Sequence, residues 1–206
     1  LAGRMQAILA RPQPLCYDTF RNERERIMET KRVLIDINNF KDEELSEAAG
    51  ILRRGGLVAF PTETVYGLGA NALDEEAAKK IYTAKGRPSD NPLIAHISSV
   101  EEVKPLVKEI PEAGRKLMEA YWPGPLTIIF RKSPIVPYGT TGGLDTVAVR
   151  MPSDRIANRM IALAGVPIAA PSANLSGRPS PTTAEHVWED MNGKIDMILD
   201  GGPVGI

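Results

Sequence analysis

The sequence is poor in the side chains that metal and thiol chemistry need. Its 206 residues include one cysteine, Cys16, which excludes an intrachain disulfide and every multi-cysteine zinc arrangement. The two histidines, His96 and His186, cannot supply a three-histidine site, so no protein-bound transition metal is expected to carry the chemistry. Aromatic residues amount to 5%, and 25 Lys and Arg stand against 26 Asp and Glu, which argues against a broad basic face for nucleic acid. Any anion site must therefore be local. No apolar run approaches the roughly 18 residues of a membrane span, and Ala7-Ile8-Leu9-Ala10 is too short for the apolar core of a secretory signal. A cytoplasmic protein is expected. The common nucleotide fingerprints are missing too: there is no Gly-x-x-x-x-Gly-Lys-Ser/Thr, and Gly67-Leu68-Gly69 lacks the third glycine of a dinucleotide loop.

What is present is an ordinary globular mixture, 43% hydrophobic and 25% charged, in a length suited to one domain. Residues 1–31 set Arg4, Arg11, Arg21, Arg24 and Arg26 against Asp18, Glu23 and Glu25 with no sustained period, and read as a poorly ordered extension. Residues 32–206 are expected to form the catalytic domain, with folded structure beginning near Val33-Leu34-Ile35. Short apolar runs then alternate with helical patterns, the signature of an α/β or α+β sheet protein. Leu45, Ala48, Ala49 and Leu52 recur at helical spacing and predict a helix over 42–54, stopped by Gly55-Gly56. Further helices are expected at 74–84, 154–164 and 184–191, and near Glu101, where Ser98 and Ser99 each have a Glu three residues on. Strands are expected at 57–60, 93–97, 127–130, 146–150 and 167–170. Nine of the 17 prolines lie between Pro123 and Pro181, so this half should contribute loops to a cleft.

Several segments carry polar groups that fit either a ligand or a plain structural role. Thr62, Glu63, Thr64 and Tyr66 follow a buried strand; their hydroxyls suit a polar ligand, or the segment is a hairpin edge with Thr chosen for β propensity. Lys85-Gly86-Arg87-Pro88 puts two cations on a stiffened backbone and suits a phosphate or carboxylate, the alternative being a basic cap on a helix dipole. Pro171-Ser172-Ala173-Asn174 and Ser176–Pro181 follow a strand where α/β proteins place ligand loops, although Ser and Asn also make plain surface turns. Arg150 ends an otherwise apolar strand and needs an anion; Asp145 and Asp154 are the acids near it in sequence. His96 lies in the apolar run Leu93–Ile97, as a ligand or as a hydrogen-bonded structural residue. Trp122-Pro123-Gly124-Pro125 reads as a Trp-anchored helix-to-strand turn, and Cys16 has no base beside it.

Taken in order, Phe60–Gly69, Lys85–Pro88, Asn91-Pro92-Leu93, Trp122–Thr127, Gly143–Arg150 and Pro171–Asn174 resemble the YrdC-like domain family, and within it the threonylcarbamoyl-AMP synthases, over about residues 40–205. The resemblance implies a single α/β domain: a twisted, mixed parallel and antiparallel sheet with flanking helices around a basic cleft. It implies synthesis of threonylcarbamoyl-AMP from L-threonine, bicarbonate and ATP, with release of pyrophosphate, toward threonylcarbamoyladenosine next to the anticodon of tRNA. Carried over motif by motif, Lys85 and Arg87 match the catalytic and phosphate-holding cations, with Ser172 and Asn174 beside them. Asn91, Thr146 and Ser180 match further ATP contacts. Thr64, His96, Arg150 and the backbone of Ala170 match the threonine site. The resemblance also implies Mg2+ carried on the ATP phosphates with no metal site on the protein, and as partners the tRNA threonylcarbamoyl-transfer machinery and tRNA or double-stranded RNA, with no membrane. Relatives continue beyond the equivalent of Ile206 into a further strand and a second domain, which this chain is expected to lack. Two rival readings are an RNA-binding module of the same fold without synthase activity, and a paralogue acting on other acyl-adenylates.

Overall fold

The computed structural model describes residues 28–205. The expected extension falls, up to residue 27 and with Cys16, outside the described residues. The fold has begun by Thr30, which is buried and whose Oγ1 donates to Ile195 O at 2.7 Å. In chain order the elements are β1 (Lys31–Leu34), α1 (Asp42–Arg53), β2 (Val58–Phe60), β3 (Gly67–Asn71), α2 (Glu75–Lys85) and β4 (Ile94–His96). A 3-10 turn (Val100–Glu102), α3 (Val103–Leu106), α4 (Glu112–Tyr121), β5 (Thr127–Arg131), α5 (Tyr138–Thr141) and β6 (Thr146–Arg150) follow. Then come α6 (Arg155–Ala164), β7 (Ile168–Ala169), α7 (Ala184–Met191) and β8 (Met197–Asp200). The strands join in one sheet in the order β1-β8-β2-β3-β7-β4-β6-β5. β1, β8 and β2 are parallel neighbours, as are β4 and β6, and the other pairs are antiparallel.

Local chemistry explains the helix ends. Asp74 and Asp154, read as first helical residues, are N-caps: Asp74 Oδ1 accepts from Glu76 N and Ala77 N, and Asp154 Oδ1 from Ala157 N at 2.9 Å. Gly86 ends α2 in the left-handed region at φ 59°, which only glycine adopts freely. The helix expected near Glu101 is reduced to the 3-10 turn and the single-turn α3. Both serine hydroxyls turn to the Glu102 carboxylate, so neither caps the backbone.

The sheet has two faces, and they are covered unequally. Leu57, Ala59, Leu68, Ala70, Ala95, Val147, Val149, Ala169 and Ile198 point into one core, which extends beneath β4, β6 and β5 through Ile128 and Phe130 and is closed by α2, α7 and Met118 of α4. Val58, Phe60, Ile168, Ala170, Met197 and Leu199 point the other way, under α1 and α6. This second core takes no residue from β4, β5 or β6. On that half the alternate positions Ile94, His96, Thr146, Ala148, Arg150, Thr127 and Ile129 form a shelf, on which Ile129 is 68% exposed. His96 is paired in register with Arg150, and Arg150 with Thr127, so the three share one row.

The edge of the covered half is set by Phe60. Gly67 and Gly69 of β3 offer no side chain on this face, and the Phe60 ring occupies the space, ending edge-on to the His96 ring at 6.3 Å. A Cβ at Gly69 would sit 2.8 Å from both the Phe60 ring and Ile168 Cγ2, whereas one at Gly67 would meet its nearest neighbour at 3.4 Å. Gly69→Ala is therefore expected to lower unfolding free energy by about 1–3 kcal/mol through overpacking, and Gly67→Ala to change it far less. Urea midpoints at unchanged slope check this; equal midpoints for the two variants would contradict it.

Candidate active site

Two groups of polar side chains border the shelf. The first is built by the loop between β2 and β3. Thr62 is buried, and its Oγ1 donates to Val65 O at 2.6 Å while accepting from Thr64 N and Val65 N at 3.3 Å. This turn directs Glu63 and Thr64 toward the end of β6. Arg150 Nη2 donates to Glu63 Oε1 at 2.7 Å and to Thr64 Oγ1 at 3.2 Å. The anion that Arg150 requires is thus Glu63, not Asp145 or Asp154: Asp145 accepts from Tyr138 Oη at 2.9 Å, and Asp154 is spent as a cap. Arg150 Nε and Glu63 Oε2 are buried without a partner among the described residues.

His96 lies beneath this pair, 3% exposed, with Nδ1 in hydrogen-bond reach of Ile94 O at 3.1 Å. Burial first, and the Arg150 guanidinium second, push its pKa from 6.5 down to about 4, so the imidazole is neutral. Ala170, also buried, donates its N–H to Ile94 O at 2.9 Å on the same stretch of sheet.

The second group gathers around the end of α2. Lys85 is 3% exposed, and its Nζ donates to Ser172 O and, at 2.6 Å, to Asn174 O. Burial, reinforced by the nearby Arg87 charge and opposed by Asp190, lowers the Lys85 pKa to about 8. Asn174 Nδ2 donates to Leu175 O at 2.9 Å and Arg178 O at 2.8 Å, closing the 172–178 loop on itself. Asp190, reaching from α7, accepts from Leu175 N at 2.9 Å and pairs with Arg178. Asn174 Oδ1 and Arg87 Nε remain buried without partners among the described residues.

The two groups adjoin through the start of β3. A bridge joins Gly67 to Ser172, and Tyr66 O accepts from Ala173 N at 2.8 Å. Tyr66 is itself fully buried, with Oη donating to Gly202 O at 2.7 Å, so the segment after β8 runs along the outside of the Thr62–Tyr66 loop. Of the residues singled out in the sequence, Thr64 and Arg150 touch, His96 lies in their row, and Lys85, Ser172 and Asn174 form one hydrogen-bonded unit. Thr146, half-buried, shares the shelf with Arg150 two turns of the pleat away. Asn91 and Ser180 are exposed, and no side-chain bond ties them to either group among the described residues. Glu63 and Asp190 were not singled out for these roles. Glu63 was visible as a lone carboxylate in a buried segment, while nothing local marks Asp190. No group of three or more His, Cys, Asp or Glu is placed to hold a metal ion among the described residues.

Arg150 at a strand end and Arg87 at a helix C-terminus each keep an Nε without a partner among the described residues, and together they can take two anionic groups of one complex or of two adjacent ligands. The family model described as telomere recombination, Sua5-yciO-yrdC, matches residues 50–206. The chain is 58% identical over 185 residues to threonylcarbamoyl-AMP synthase of Pyrococcus abyssi, covering 90% of this chain and 51% of that protein. It is 52% identical over 183 residues to the Bacillus subtilis protein of the same name, covering 87% and 53%. The chain spans about half the length of these curated relatives. The crystal structure of P. abyssi Sua5 complexed with L-threonine matches with a TM-score of 0.81 at 58% identity, over 85% of this chain and 51% of that one. E. coli YciO, at 23% identity and a TM-score of 0.75, shares the fold.

The buried imidazole has a measurable consequence. His96 titrates near 4 in the folded chain and near 6.5 when unfolded, so between these values the unfolded state binds the extra proton. Its contribution to stability is present above pH 6.5 and is lost as pH falls toward 4. A His96→Asn variant is expected to lose less of its urea midpoint than the parent between pH 7 and pH 4.5, and an equal loss in both would refute the neutral buried imidazole.

Proposed function

Because the chain belongs to the Sua5-yciO-yrdC family, we propose that it makes threonylcarbamoyl-AMP from L-threonine, bicarbonate and ATP, releasing pyrophosphate. The observation that carries this reading is the adjacency of two cationic groups, Arg150 with Thr64 on one side and Lys85 with Arg87 on the other, tied by the Gly67–Ser172 bridge. Arg150 takes the amino acid's carboxylate, with Thr64, His96 and the Ala170 backbone around it. Arg87, Lys85, Ser172 and Asn174 border the triphosphate, with Asn91, Thr146 and Ser180 as further nucleotide contacts. Lys85 does double duty, because its ammonium also fixes the carbonyls of the loop that carries Ser172 and Asn174. In this reading ATP brings Mg2+ on its own phosphates.

The chemistry asks the protein for positioning and charge rather than for a nucleophile. The amine of threonine and bicarbonate give a carbamate and water. A carbamate oxygen attacks the α-phosphorus of ATP, the bond to the β-phosphate breaks, and pyrophosphate carries away the electron pair. Cations held in a partly dry site stabilise the charge that accumulates on the phosphates. The product is a reactive mixed anhydride, whose consumer in this reading is the machinery that transfers threonylcarbamoyl to tRNA in the cytoplasm. Among the described residues no helix is long and apolar enough to cross a membrane.

Pyrophosphate release from ATP tests the reading. Release is expected to require both L-threonine and bicarbonate, and to fall by roughly 100-fold or more in Lys85→Ala and in Arg87→Ala, the range seen when one charge-stabilising group is removed. Near-normal rates in both variants, or release independent of threonine, would overturn it; salt-dependent RNA binding without release would favour the module reading instead.

A further inference from the structure

The ion pair between Glu63 and Arg150 uses only part of what each side chain offers. One guanidinium nitrogen, Nη2, serves both Glu63 Oε1 and Thr64 Oγ1. The remaining carboxylate oxygen, Glu63 Oε2, and the remaining edge nitrogen, Arg150 Nε, are buried and without partners among the described residues. The side chains are only 19% and 11% exposed, so water does little to satisfy them. An unused acceptor of negative charge therefore stands beside an unused donor of positive charge. His96 in the same row adds no charge, while the ionisation of Asp154 is disfavoured first by burial and further by the nearby Glu63 charge. A plain carboxylate arriving at Arg150 would add a net negative charge to a place already holding two carboxylates. A zwitterion would not.

We propose that Glu63 receives the α-ammonium of the amino acid whose carboxylate Arg150 takes, and that it thereby selects α-amino acids over their deaminated analogues. This rests on the amino-acid reading of the site given above. The terminal torsion of a Glu side chain is broad, so the carboxylate can turn Oε2 toward the ligand without leaving Arg150. The turn formed by Thr62 fixes the backbone from which Glu63 reaches, and Thr64, next along, lies on the same guanidinium. The substrate's two poles then complete the two unfilled positions of a pair already built, and neither residue is left buried with its charge unmatched.

Calorimetric titration of the chain with L-threonine and with 3-hydroxybutanoate, which lacks only the amino group, tests the assignment. The parent is expected to prefer threonine by roughly 10- to 100-fold, the size of a hydrogen bond between charged groups. Glu63→Gln should lose most of that preference by weakening threonine while leaving 3-hydroxybutanoate little changed. Glu63→Asp, which keeps the charge but draws it back, should fall between the two and decides the matter if the Gln variant does not fold. Equal weakening of both ligands would mean that Glu63 merely holds Arg150 in place, and tighter threonine binding by Glu63→Gln would mean that it competes for the guanidinium; either result overturns the proposal. If the parent binds 3-hydroxybutanoate and threonine equally, the proposal fails while the site survives; if it binds neither, the amino-acid reading itself falls and takes the proposal with it.

Discussion

Phe60 needs the room left by two glycines. Because Gly67 and Gly69 carry no side chain, the ring can cross β3, pack on Ile168 and Ala170, and stop against His96. On its near side the sheet face is dry and covered by α1 and α6; on its far side the same face is the shelf that carries His96, Arg150 and Thr146. The Thr62–Tyr66 loop that follows the ring reaches β6, where Glu63 and Thr64 meet Arg150. The boundary between core and site is thus a single aromatic side chain and the space made for it.

Beyond that boundary, charge is held where the backbone can compensate for its burial. Lys85 is nearly inaccessible, and two carbonyls of the facing loop take the place of water around its ammonium. Arg150 is treated differently, with a carboxylate and a hydroxyl in partial occupation of its donors. Lys85 spends two of its three donors on the fold and keeps one, while Arg150 keeps Nε. Both sides can therefore accept a ligand, because an unspent donor gains by binding.

Much of this architecture was legible in the sequence, and the reasons for the omissions are physical. Helices with a wide buried stripe, such as α1 with Leu45, Ala48, Ala49 and Leu52, announce themselves by spacing. α4 carries Ala113, Leu117, Met118 and Tyr121 at helical spacing and was legible on the same grounds, although it buries only Gly114 and Met118. β8 is buried at all four residues, so it lacks the alternation that marks a half-exposed strand. β3, with glycine at 67 and 69, has weak strand propensity, so in sequence the 60–69 segment reads as a polar-ligand segment or a hairpin edge; its glycines are there for Phe60. Within the site, Lys85, Arg87, Ser172 and Asn174 were visible as short polar motifs. The Arg150–Glu63 pair was not, since its members are 87 residues apart and local sequence cannot report a contact made by a loop folding over a sheet.

The 172–178 loop carries a dynamic consequence of the way it is tied. Ala173 N is bonded to Tyr66 O, Leu175 N to Asp190, Ser176 N to Lys85 O and Arg178 N to Leu175 O. Irregular surface segments ordinarily exchange their amide hydrogens with solvent through small local openings. Here an opening across residues 173–176 would break bonds to a strand entrance, to α7 and to the last residue of α2. This segment behaves in that respect like an interior strand, and its deuterium uptake should lag behind that of loops with comparable solvent exposure, a stillness inherited from its neighbours.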